Sequence, residues 1–269
     1  MKLDKRFTIV SRKQLRLRDF DPDDTAGFDK GDKADAHLKK NISRMEDLQY
    51  RLYAESRRAL LIVLQGMDAS GKDGTVRHVM SGLNPQGCRV TSFKVPSSEE
   101  AGHDFLWRIH KAMPARGEIG IFNRSHYEDV LVVRVHELAP KSVWSARYDQ
   151  INAFEKLMSD NDVTILKFFL HISKAEQKQR LEARLDDTTR NWKISPADFK
   201  ERRLWGDYVK AYEAVLNRCN SSTAPWFIIP SNKKWFRNLA VSQIIVETLE
   251  RMNPKFPKPS FDLSGIKVK

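Results

Sequence analysis

The chain has 269 residues, of which 41% are hydrophobic and 30% are charged, an ordinary composition for one large folded domain. No apolar run is long enough for a membrane span and the amino terminus lacks the apolar stretch of a signal peptide, so we expect a cytoplasmic protein without membrane contact. The 47 lysines and arginines outnumber the 35 acidic residues, and the net charge of +12 favours a polyanionic partner over a basic surface that serves only solubility.

Residues 1–36 are polar and irregular, and we interpret them as an N-terminal arm that lies over the domain or is partly disordered. Residues 37–58 carry apolar side chains at intervals of three and four, which predicts a helix packed on a sheet. The predicted strands cover residues 60–64, 89–93, 119–122, 163–172 and 224–229, and the predicted helices cover 75–83, 98–111 and 146–161. This alternation predicts a parallel sheet with helices on both faces and a ligand site at the carboxyl ends of the strands.

The most informative segment follows the first predicted strand and reads QGMDASGKDG, residues 65–74. Gly66 and Gly71 permit a tight turn whose backbone N–H groups point at one phosphate oxygen. Lys72 adds a positive charge, and the helix that begins near it adds the positive end of its dipole. The spacing agrees with the phosphate-binding motif G-x-x-x-x-G-K-[ST], so we expect a phosphate-binding loop (P-loop) rather than an incidental glycine-rich turn.

The last position of that motif is not matched, because Asp73 stands where a hydroxyl that binds magnesium is expected. Thr75 lies two residues further on and is one substitute for that hydroxyl. Asp68 lies inside the loop and would repel phosphate unless a cation lies between the two groups. Carboxylate oxygens are suitable ligands of Mg²⁺, so we expect Asp68 to hold the metal.

A second polar cluster, NRSHYED at residues 123–129, leaves a predicted strand at its carboxyl end. At that edge of the sheet Arg124 is expected to reach a transferred phosphoryl group, and Glu128 or Asp129 a metal or a substrate hydroxyl. Taken alone, the segment is equally well explained as a surface turn that caps the next helix. We interpret His126 as a packing residue, because phosphoryl transfer depends on positioning more than on proton abstraction.

A third cluster follows the predicted strand that ends at residue 172, and it is rich in basic residues and tryptophan. Its basic residues are Lys178, Arg180, Arg184, Arg190, Lys193, Lys200, Arg202 and Arg203. Arg180 and Arg184 are four residues apart and lie on one helix face. Two basic helical segments joined by a polar turn predict a lid that closes over phosphates and excludes water. The alternative is a solvent-exposed face in which neighbouring acidic residues neutralise the charge.

Several separate blocks of sequence resemble polyphosphate kinase family 2. They are QGMDASGKDG at residues 65–74, FNRSHYED at 122–129, FLHISKAEQ at 169–177, RLEARLD at 180–186, WK at 192–193 and APWFIIP at 224–230. The resemblance covers roughly residues 45–258 and is more specific than a P-loop alone. It implies an α/β P-loop kinase fold like that of thymidylate kinase, a three-layer sandwich with a parallel central sheet and a helical lid. It also implies phosphoryl transfer from inorganic polyphosphate to nucleotides with Mg²⁺ or Mn²⁺.

The resemblance assigns roles to individual residues. The family's loop aspartate and lysine correspond to Asp68 and Lys72, its second-motif arginine to Arg124, and its lid arginines to Arg180 and Arg184. The predicted catalytic residues are Asp68, Lys72, Arg124, Glu128 and Arg184, of which Asp68 and Glu128 are also the predicted metal ligands. The predicted nucleotide- and phosphate-binding residues are Gly66, Ala69, Ser70, Gly71, Asp73, Gly74, Asn123, Arg180, Lys193 and Arg203.

Two details of the second motif refine the resemblance. Asn123 stands where some members of the family have aspartate, which leaves the metal to Asp68 and Glu128. The sequence Tyr127-Glu128-Asp129 resembles the branch that phosphorylates both nucleoside monophosphates and diphosphates, so both are expected acceptors. The motif leaves the base open: AMP and ADP are the first expectation, and GMP and GDP the alternative. The predicted kinase domain covers residues 37–258 with a lid over about 178–205, followed by a tail over 259–269, and we expect a homo-oligomer, either a dimer or a tetramer.

Two other functions share parts of this pattern. An ATP-dependent nucleoside monophosphate kinase has the same strand, loop and lid, but the net charge of +12 exceeds what one pair of nucleotides requires. A nucleic-acid-binding P-loop protein is disfavoured, because the basic residues cluster on the predicted lid without a recognisable nucleic-acid module. The two cysteines, Cys88 and Cys219, lack zinc-ligand spacing and are expected to be reduced thiols.

Overall fold

The computed structural model describes residues 2–9, 14–189 and 191–262. Its centre is a sheet of five parallel strands. The strands are β1 (Ala59–Gln65), β2 (Cys88–Ser92), β3 (Ile119–Asn123), β4 (Val163–His171) and β5 (Trp226–Pro230). Their order in the sheet is β2-β3-β1-β4-β5, so β1 is central and the chain continues to one side of it and then to the other. In such a sheet the ligand site lies at the carboxyl end of the strand where the order reverses.

Helices cover both faces of the sheet. They are α1 (Leu3–Phe7), α2 (Asp32–Glu55), α3 (Lys72–Val79), α4 (Ser98–Ala101), α5 (Trp107–Ala112), α6 (Val132–Val135), α7 (Lys141–Asp160), α8 (Lys174–Leu185), α9 (Pro196–Arg203), α10 (Trp205–Arg218) and α11 (Lys234–Met252). Alternate residues of β1 enter two separate cores, since Leu60 and Ile62 pack with α2, α3 and α11 whereas Leu61 and Val63 pack with α5, α7 and α10. The predicted three-layer α/β fold with a parallel sheet is thereby confirmed.

The single helix predicted over residues 98–111 is wrong. The chain forms α4, capped by Ser97 and Glu100, and then breaks before α5. Gly102 ends α4, and the Asp104 side chain accepts a hydrogen bond from the Leu106 backbone N–H, a local bond that competes with a continuous helix.

The sequence prediction did not include α10 and α11. Helix α11 is buried on almost every side, so its apolar residues do not form the single stripe on which a periodicity argument depends. The first long helix begins at Asp32, earlier than the predicted start at residue 37.

The described part of the N-terminal segment lies on the domain. Leu3 and Phe7 of α1 are buried in the core beside α11, and Thr8 forms an isolated antiparallel bridge with Phe227 of β5. Among the described residues, no helix combines the length and the apolar character that crossing a bilayer would require. Residues 10–13 of the predicted arm and 263–269 of the predicted tail lie outside the described residues.

Candidate active site

The P-loop connects β1 to α3 and has the backbone of an anion-binding turn. Gly66, Ala69 and Gly71 all have positive φ angles, of 151°, 62° and 105°. The first helical hydrogen bond of α3 runs from Thr75 N–H to Gly71 O, so the amides before Thr75 have no carbonyl partner within the helix. Together with the helix dipole, these amides favour an anion at the start of α3.

Close packing explains why two of the loop positions are glycine. A Cβ at Gly66 would lie 2.7 Å from the Leu170 carbonyl oxygen, and one at Gly71 would lie 1.7 Å from Arg237 Nη1. Gly74 is less tightly packed, with a Cβ position 3.1 Å from Arg237 Nη2. A larger side chain at Gly66 or Gly71 would therefore displace the backbone that forms the loop.

Lys72 is folded over the loop. Its Nζ donates hydrogen bonds to the carbonyl oxygens of Gly66 (2.7 Å) and Met67 (3.2 Å). Burial, together with the nearby charge of Arg124, lowers the pKa of Lys72 to about 8. The ammonium group therefore lies at the loop with a pKa that makes its charge sensitive to pH in the neutral to alkaline range.

Arg124 connects the two predicted metal ligands. Its guanidinium donates from Nη2 to Asp68 Oδ1 at 2.9 Å and from Nη1 to Glu128 Oε2 at 3.3 Å. The backbone of Arg124 has a φ of 63°, a left-handed conformation that is costly for a residue with a side chain. Asp129 turns towards Arg147, which donates to it at 3.1 Å, and burial raises the pKa of Asp129 against the pull of that arginine.

Asp73 and Asn123, the residues at which the two motifs depart from their usual sequences, are joined by a hydrogen bond. Asn123 Nδ2 donates to Asp73 Oδ1 at 2.8 Å, and Lys193 Nζ lies 3.3 Å from Asp73 Oδ2. Burial disfavours ionisation of Asp73, but the bonds from Asn123 and Lys193 outweigh it and hold the pKa of Asp73 below its ordinary value. An aspartate at position 123 would face the Asp73 carboxylate directly, so the asparagine and the unusual Asp73 are complementary.

Thr75 does not replace the missing magnesium-binding hydroxyl. Its Oγ1 is directed back to the Gly71 carbonyl oxygen at 3.1 Å, and the residue is fully buried. The Ser70 hydroxyl is also buried and has no hydrogen-bond partner among the described residues, and Ser70 does not line the cleft.

Arg180 lines the cleft, but its N–H groups are directed to protein acceptors. Its five N–H groups match five protein acceptors, which are Glu176 Oε1 and the carbonyl oxygens of Ala69, Ser70, Ser231 and Asn232. With every donor used, this side chain holds the P-loop to the end of β5 and the start of α8. Arg180 thus supports the loop in this structure, and its predicted role in phosphate binding stays a prediction.

The two remaining arginines of the predicted lid differ in position. Arg184 lines the cleft, is half-buried, and makes no hydrogen bond or ion pair with any described residue. Arg203, at the end of α9, is exposed and does not line the cleft, so the structure does not place it with the other predicted phosphate ligands. Arg190 lies outside the described residues.

A single cleft of about 1470 Å³ brings most of the predicted site residues together, including Asp68, Lys72, Arg124, Glu128, Arg184 and Lys193. Its two ends differ in chemistry. The residues after β2, in α6 and after α6 give a mainly apolar lining of Phe93, Val95, Pro96, Val132, Val133 and Leu138, to which Lys94 and Arg108 add positive charge. Helices α3 and α11, on the opposite face of the sheet, give a basic lining of Arg77, Lys234 and Arg237. Arg124 and Lys72 line the cleft as well, so the two ends share one phosphate-binding centre.

Sequence reasoning missed Arg237. Its side chain is 2% exposed, its Nη1 lies 3.3 Å from the Ser70 carbonyl oxygen, and it hydrogen-bonds Asn238 rather than a carboxylate. Burial and the nearby Arg180 lower the pKa of Arg237 to about 10. The available signal was an arginine in the segment 235–246, which is rich in apolar residues and was not assigned to a helix.

The parallel sheet, the glycine-rich loop after its central strand and the lysine at the first residue of α3 define a P-loop kinase-like α/β protein. The family model described as "Polyphosphate kinase 2 (PPK2)" matches residues 29–257. The chain therefore belongs to the polyphosphate kinase 2 family.

Individual relatives agree with this assignment. The AMP/ADP-polyphosphate phosphotransferase of Meiothermus ruber is 50% identical over 256 residues, which cover 95% of this chain and 96% of the relative. The ADP-polyphosphate phosphotransferase of Rhodopseudomonas palustris is 48% identical over 233 residues, covering 82% and 81%. The crystal structure of polyphosphate kinase 2 from Arthrobacter aurescens TC1 superposes with a TM-score of 0.93 at 41% identity and covers 98% of this chain and 94% of that one.

Proposed function

We propose that this protein transfers phosphoryl groups between inorganic polyphosphate and nucleoside mono- or diphosphates, with Mg²⁺ as the metal. The observation that carries this function is the cleft with one apolar and one basic end that meet at Lys72 and Arg124. A nucleoside has an apolar base and fits the apolar end, whereas a chain of phosphates fits the basic end. The names of the two relatives that are 50% and 48% identical agree with these substrates.

Different residues of the chain have different roles in the proposed phosphoryl transfer. The amides at the start of α3 and Lys72 bind the phosphates on either side of the bond that breaks, and Arg124 neutralises the charge on the transferred group. Both cations are already inside the cleft, so little reorganisation is required when the substrates arrive. Arg184, which makes no hydrogen bond or ion pair with the described residues, is available to bind a phosphate when the lid closes.

Asp68 and Glu128 fit the requirements of a magnesium site. Both are carboxylates that line the cleft, and both contact the same guanidinium, that of Arg124. No group of three or more His, Cys, Asp or Glu side chains in the described residues forms a closed metal cage, as expected for Mg²⁺, which takes its other ligands from water and substrate phosphates. When bound, Mg²⁺, or Mn²⁺ in its place, would supply charge neutralisation at the phosphate oxygens.

Both monophosphates and diphosphates are the proposed acceptors. The sequence Tyr127-Glu128-Asp129 supports this choice, as does the relative named an AMP/ADP-polyphosphate phosphotransferase. Within that sequence Tyr127 is fully buried, whereas Glu128 and Asp129 both line the cleft. Because Asp129 is held by Arg147, Glu128 is the residue that we assign to the acceptor or its metal. GMP and GDP are included as the alternative acceptors, because the sequence leaves the base preference open.

A donor and acceptor screen tests the proposed function. The purified protein is incubated with polyphosphate or ATP as donor, with AMP, ADP, GMP or GDP as acceptor, and with Mg²⁺, and the nucleotides are separated. We expect ADP and ATP to form from AMP and ADP with polyphosphate. Product formation with ATP as the sole effective donor would identify the competing nucleoside monophosphate kinase. Tight binding of DNA, with no transfer from either donor, would point to a nucleic-acid-binding protein.

The metal assignment is tested by Asp68→Asn, which keeps the shape of the side chain and removes its charge. We expect a large loss of turnover that higher nucleotide concentration does not restore, and a higher Mg²⁺ requirement, which calorimetry in the presence of ADP measures without turnover. Asp73→Asn is the matched control, since Asp73 lines the same cleft but is bonded to Asn123 and Lys193. An unchanged Mg²⁺ requirement in Asp68→Asn would make Asp68 a structural residue.

The assembly and location of the protein stay predictions of the sequence. A dimer or tetramer is expected, and light scattering of the purified protein measures this directly. A cytoplasmic location agrees with the presence of two free cysteines, Cys88 and Cys219. Burial raises the pKa of the Cys88 thiol to about 11 and that of the Cys219 thiol to about 12.

A further inference from the structure

A fully buried ion pair lies beneath the second motif, on the face of the sheet covered by α7 and α10. Lys167, in the middle of β4, places its Nζ 2.5 Å from Glu155 Oε2 of α7, 2.9 Å from Tyr127 OH and 2.7 Å from the Cys219 carbonyl oxygen. These three acceptors use all three N–H groups of the ammonium. Glu155 Oε1 in turn accepts hydrogen bonds from Tyr127 OH at 2.7 Å and His126 Nε2 at 3.3 Å.

Stability alone does not account for this pair. Lys167 and Glu155 are 0% and 2% exposed, and placing two charges in the interior costs solvation that well-packed apolar residues of similar size would avoid. Burial by itself would raise the pKa of Glu155, but Lys167 and His126 outweigh it, so the pKa lies below its ordinary value and the group is a carboxylate at neutral pH. An apolar residue is the usual occupant of a central strand buried on both faces, and the neighbours Leu166 and Phe168 follow that rule.

The network is attached to the residues that face the substrates. Ser125, His126 and Tyr127 are fully buried, whereas the residues on either side of them, Arg124 and Glu128, line the cleft. The left-handed backbone of Arg124 persists only if its surroundings hold it in place. Two of the three buried residues that follow it are bonded to Glu155, and Ser125 accepts from Gln65 Nε2 of β1 at 3.2 Å.

We propose that Lys167 and Glu155 are positioning residues for phosphoryl transfer, which act through Tyr127 and His126 to hold Arg124 and Glu128 in place relative to the P-loop. The polar network fixes one arrangement of the segment 124–129, because its donors and acceptors are matched in one geometry. Apolar packing would fill the same space but would permit the turn to shift. This role deepens the proposed function and rests on it, since Arg124 is assigned to the transferred group there.

Two variants test the network. In Lys167→Met/Glu155→Leu both charges are removed together, so no unpaired charge is buried. In Tyr127→Phe one oxygen is removed and the ion pair is kept. For each variant that folds we expect kcat to fall, by about 10²-fold in the double variant because small displacements of catalytic groups have effects of that size, while KM for polyphosphate and ADP stays near the wild-type value. If the double variant does not fold, Tyr127→Phe decides.

The matched control is Tyr148→Phe. Tyr148 is a fully buried tyrosine of α7, the helix that also carries Glu155, and its hydroxyl accepts a hydrogen bond from Arg134 at 3.3 Å. Among the described residues, its hydrogen bonds and ring contacts are with residues outside the second motif. A purely structural role would lower the unfolding temperature in Tyr127→Phe and Tyr148→Phe alike and leave kcat of the folded protein unchanged. Equal kcat values for these two variants and the wild type would overturn the proposal.

A measurement without turnover separates this proposal from the proposed function. Amide hydrogen exchange over residues 124–129 should be faster in Tyr127→Phe than in the wild type or in Tyr148→Phe, because the turn loses one of its internal anchors. If the wild-type protein showed no transfer from polyphosphate, the proposed function would fail, and exchange of this segment would still report on the network. Unchanged exchange in Tyr127→Phe would contradict the positioning role.

Discussion

At the scale of single residues, Lys72 shows how the fold changes the chemistry of a predicted residue. The sequence predicted a lysine that contributes positive charge to a phosphate site. The structure adds that the ammonium is enclosed by the loop carbonyls of Gly66 and Met67 and lies near a second cation, Arg124. A polyanion in the cleft would favour the protonated form, so substrate binding and protonation of Lys72 are coupled.

The pKa of about 8 for Lys72 predicts a pH dependence. The ammonium is charged below that pH and loses its charge above it, so kcat/KM should decline as the pH rises through about 8. The corresponding decline in kcat should occur at higher pH, because bound phosphate raises the pKa of Lys72. Pre-steady-state and steady-state assays across pH 6 to 10, a range of about two units on each side of this pKa, measure both declines.

Lys72→Ala is the control for the decline in activity near pH 8. It should lower turnover by about 10²–10³-fold, the usual cost of losing one electrostatic donor, and its residual activity should lack the decline near pH 8. A variant that keeps the decline would show that another group titrates there. Near-normal turnover of the folded variant would contradict the P-loop assignment itself.

At the scale of elements, Asp73 is the point where three of them meet. It lies in the first turn of α3, accepts a hydrogen bond from Asn123 at the end of β3, and pairs with Lys193 of the short 3-10 turn Asn191–Lys193 between α8 and α9. The position that binds metal through a hydroxyl in the general P-loop motif here connects the loop to the lid. Because Asp73 and Lys193 are both well exposed, the pair is expected to be weak and easily exchanged for a phosphate.

Asp73→Asn should therefore loosen the lid in the absence of substrates. An exposed ion pair contributes at most about 1 kcal/mol, so opening of the lid should rise by no more than about fivefold. Limited proteolysis or amide exchange of residues 186–200 measures the change. Lys193→Ala should have the same effect, the two substitutions together should add nothing, and high salt should remove the difference from the wild type. Additive effects would show that the two side chains do not act as a pair.

At the scale of the whole molecule, the net charge of +12 is accompanied by an uneven distribution of basic residues along the lining of the cleft. Basic residues from α3, α8 and α11 converge on one end of it, and apolar residues from the segments after β2 and β3 line the other. A phosphate chain carries about one charge per unit, so its binding should release counterions and weaken with added salt in the manner of nucleic acids. A single nucleotide has fewer charges and should respond less.

Arg184→Ala tests this picture against Arg180→Ala, which removes the same charge four residues away on the same helix. Within the part of the chain that the structure describes, Arg184 has no hydrogen-bond or ion-pair partner, so its loss should weaken polyphosphate use more than nucleotide affinity and reduce the slope of log affinity against log salt by up to about one. Arg180 is bonded to five protein acceptors, so its loss should lower kcat and stability through the loop, with a smaller change of slope. Equal slopes for the wild type and Arg184→Ala would move the polyphosphate site to another basic surface.

Sequence reasoning identified the features that depend on neighbours in the chain. The P-loop after β1 and the strands of the parallel sheet followed from glycine spacing and periodicity, because each is encoded within about ten residues. The family followed from the resemblance of several separate blocks between about residues 45 and 258. The boundaries of β1 and β3 agree with the prediction to within a residue or so, since buried strands have abrupt apolar limits.

Tertiary structure alone decided what each polar side chain contacts. The sequence placed Arg180 and Arg184 together on the lid, and four residues of helix do bring them to the same side. Only the fold showed that two P-loop carbonyls and three other acceptors take all five donors of Arg180, whereas Arg184 has no hydrogen bond or ion pair with the described residues. Lys167, Glu155 and Arg237 gave no motif, because their partners lie far away in sequence. Hydrogen-bond partners are set by which segments the sheet brings side by side, and that information is contained in the packing of the whole chain rather than in any one segment of it.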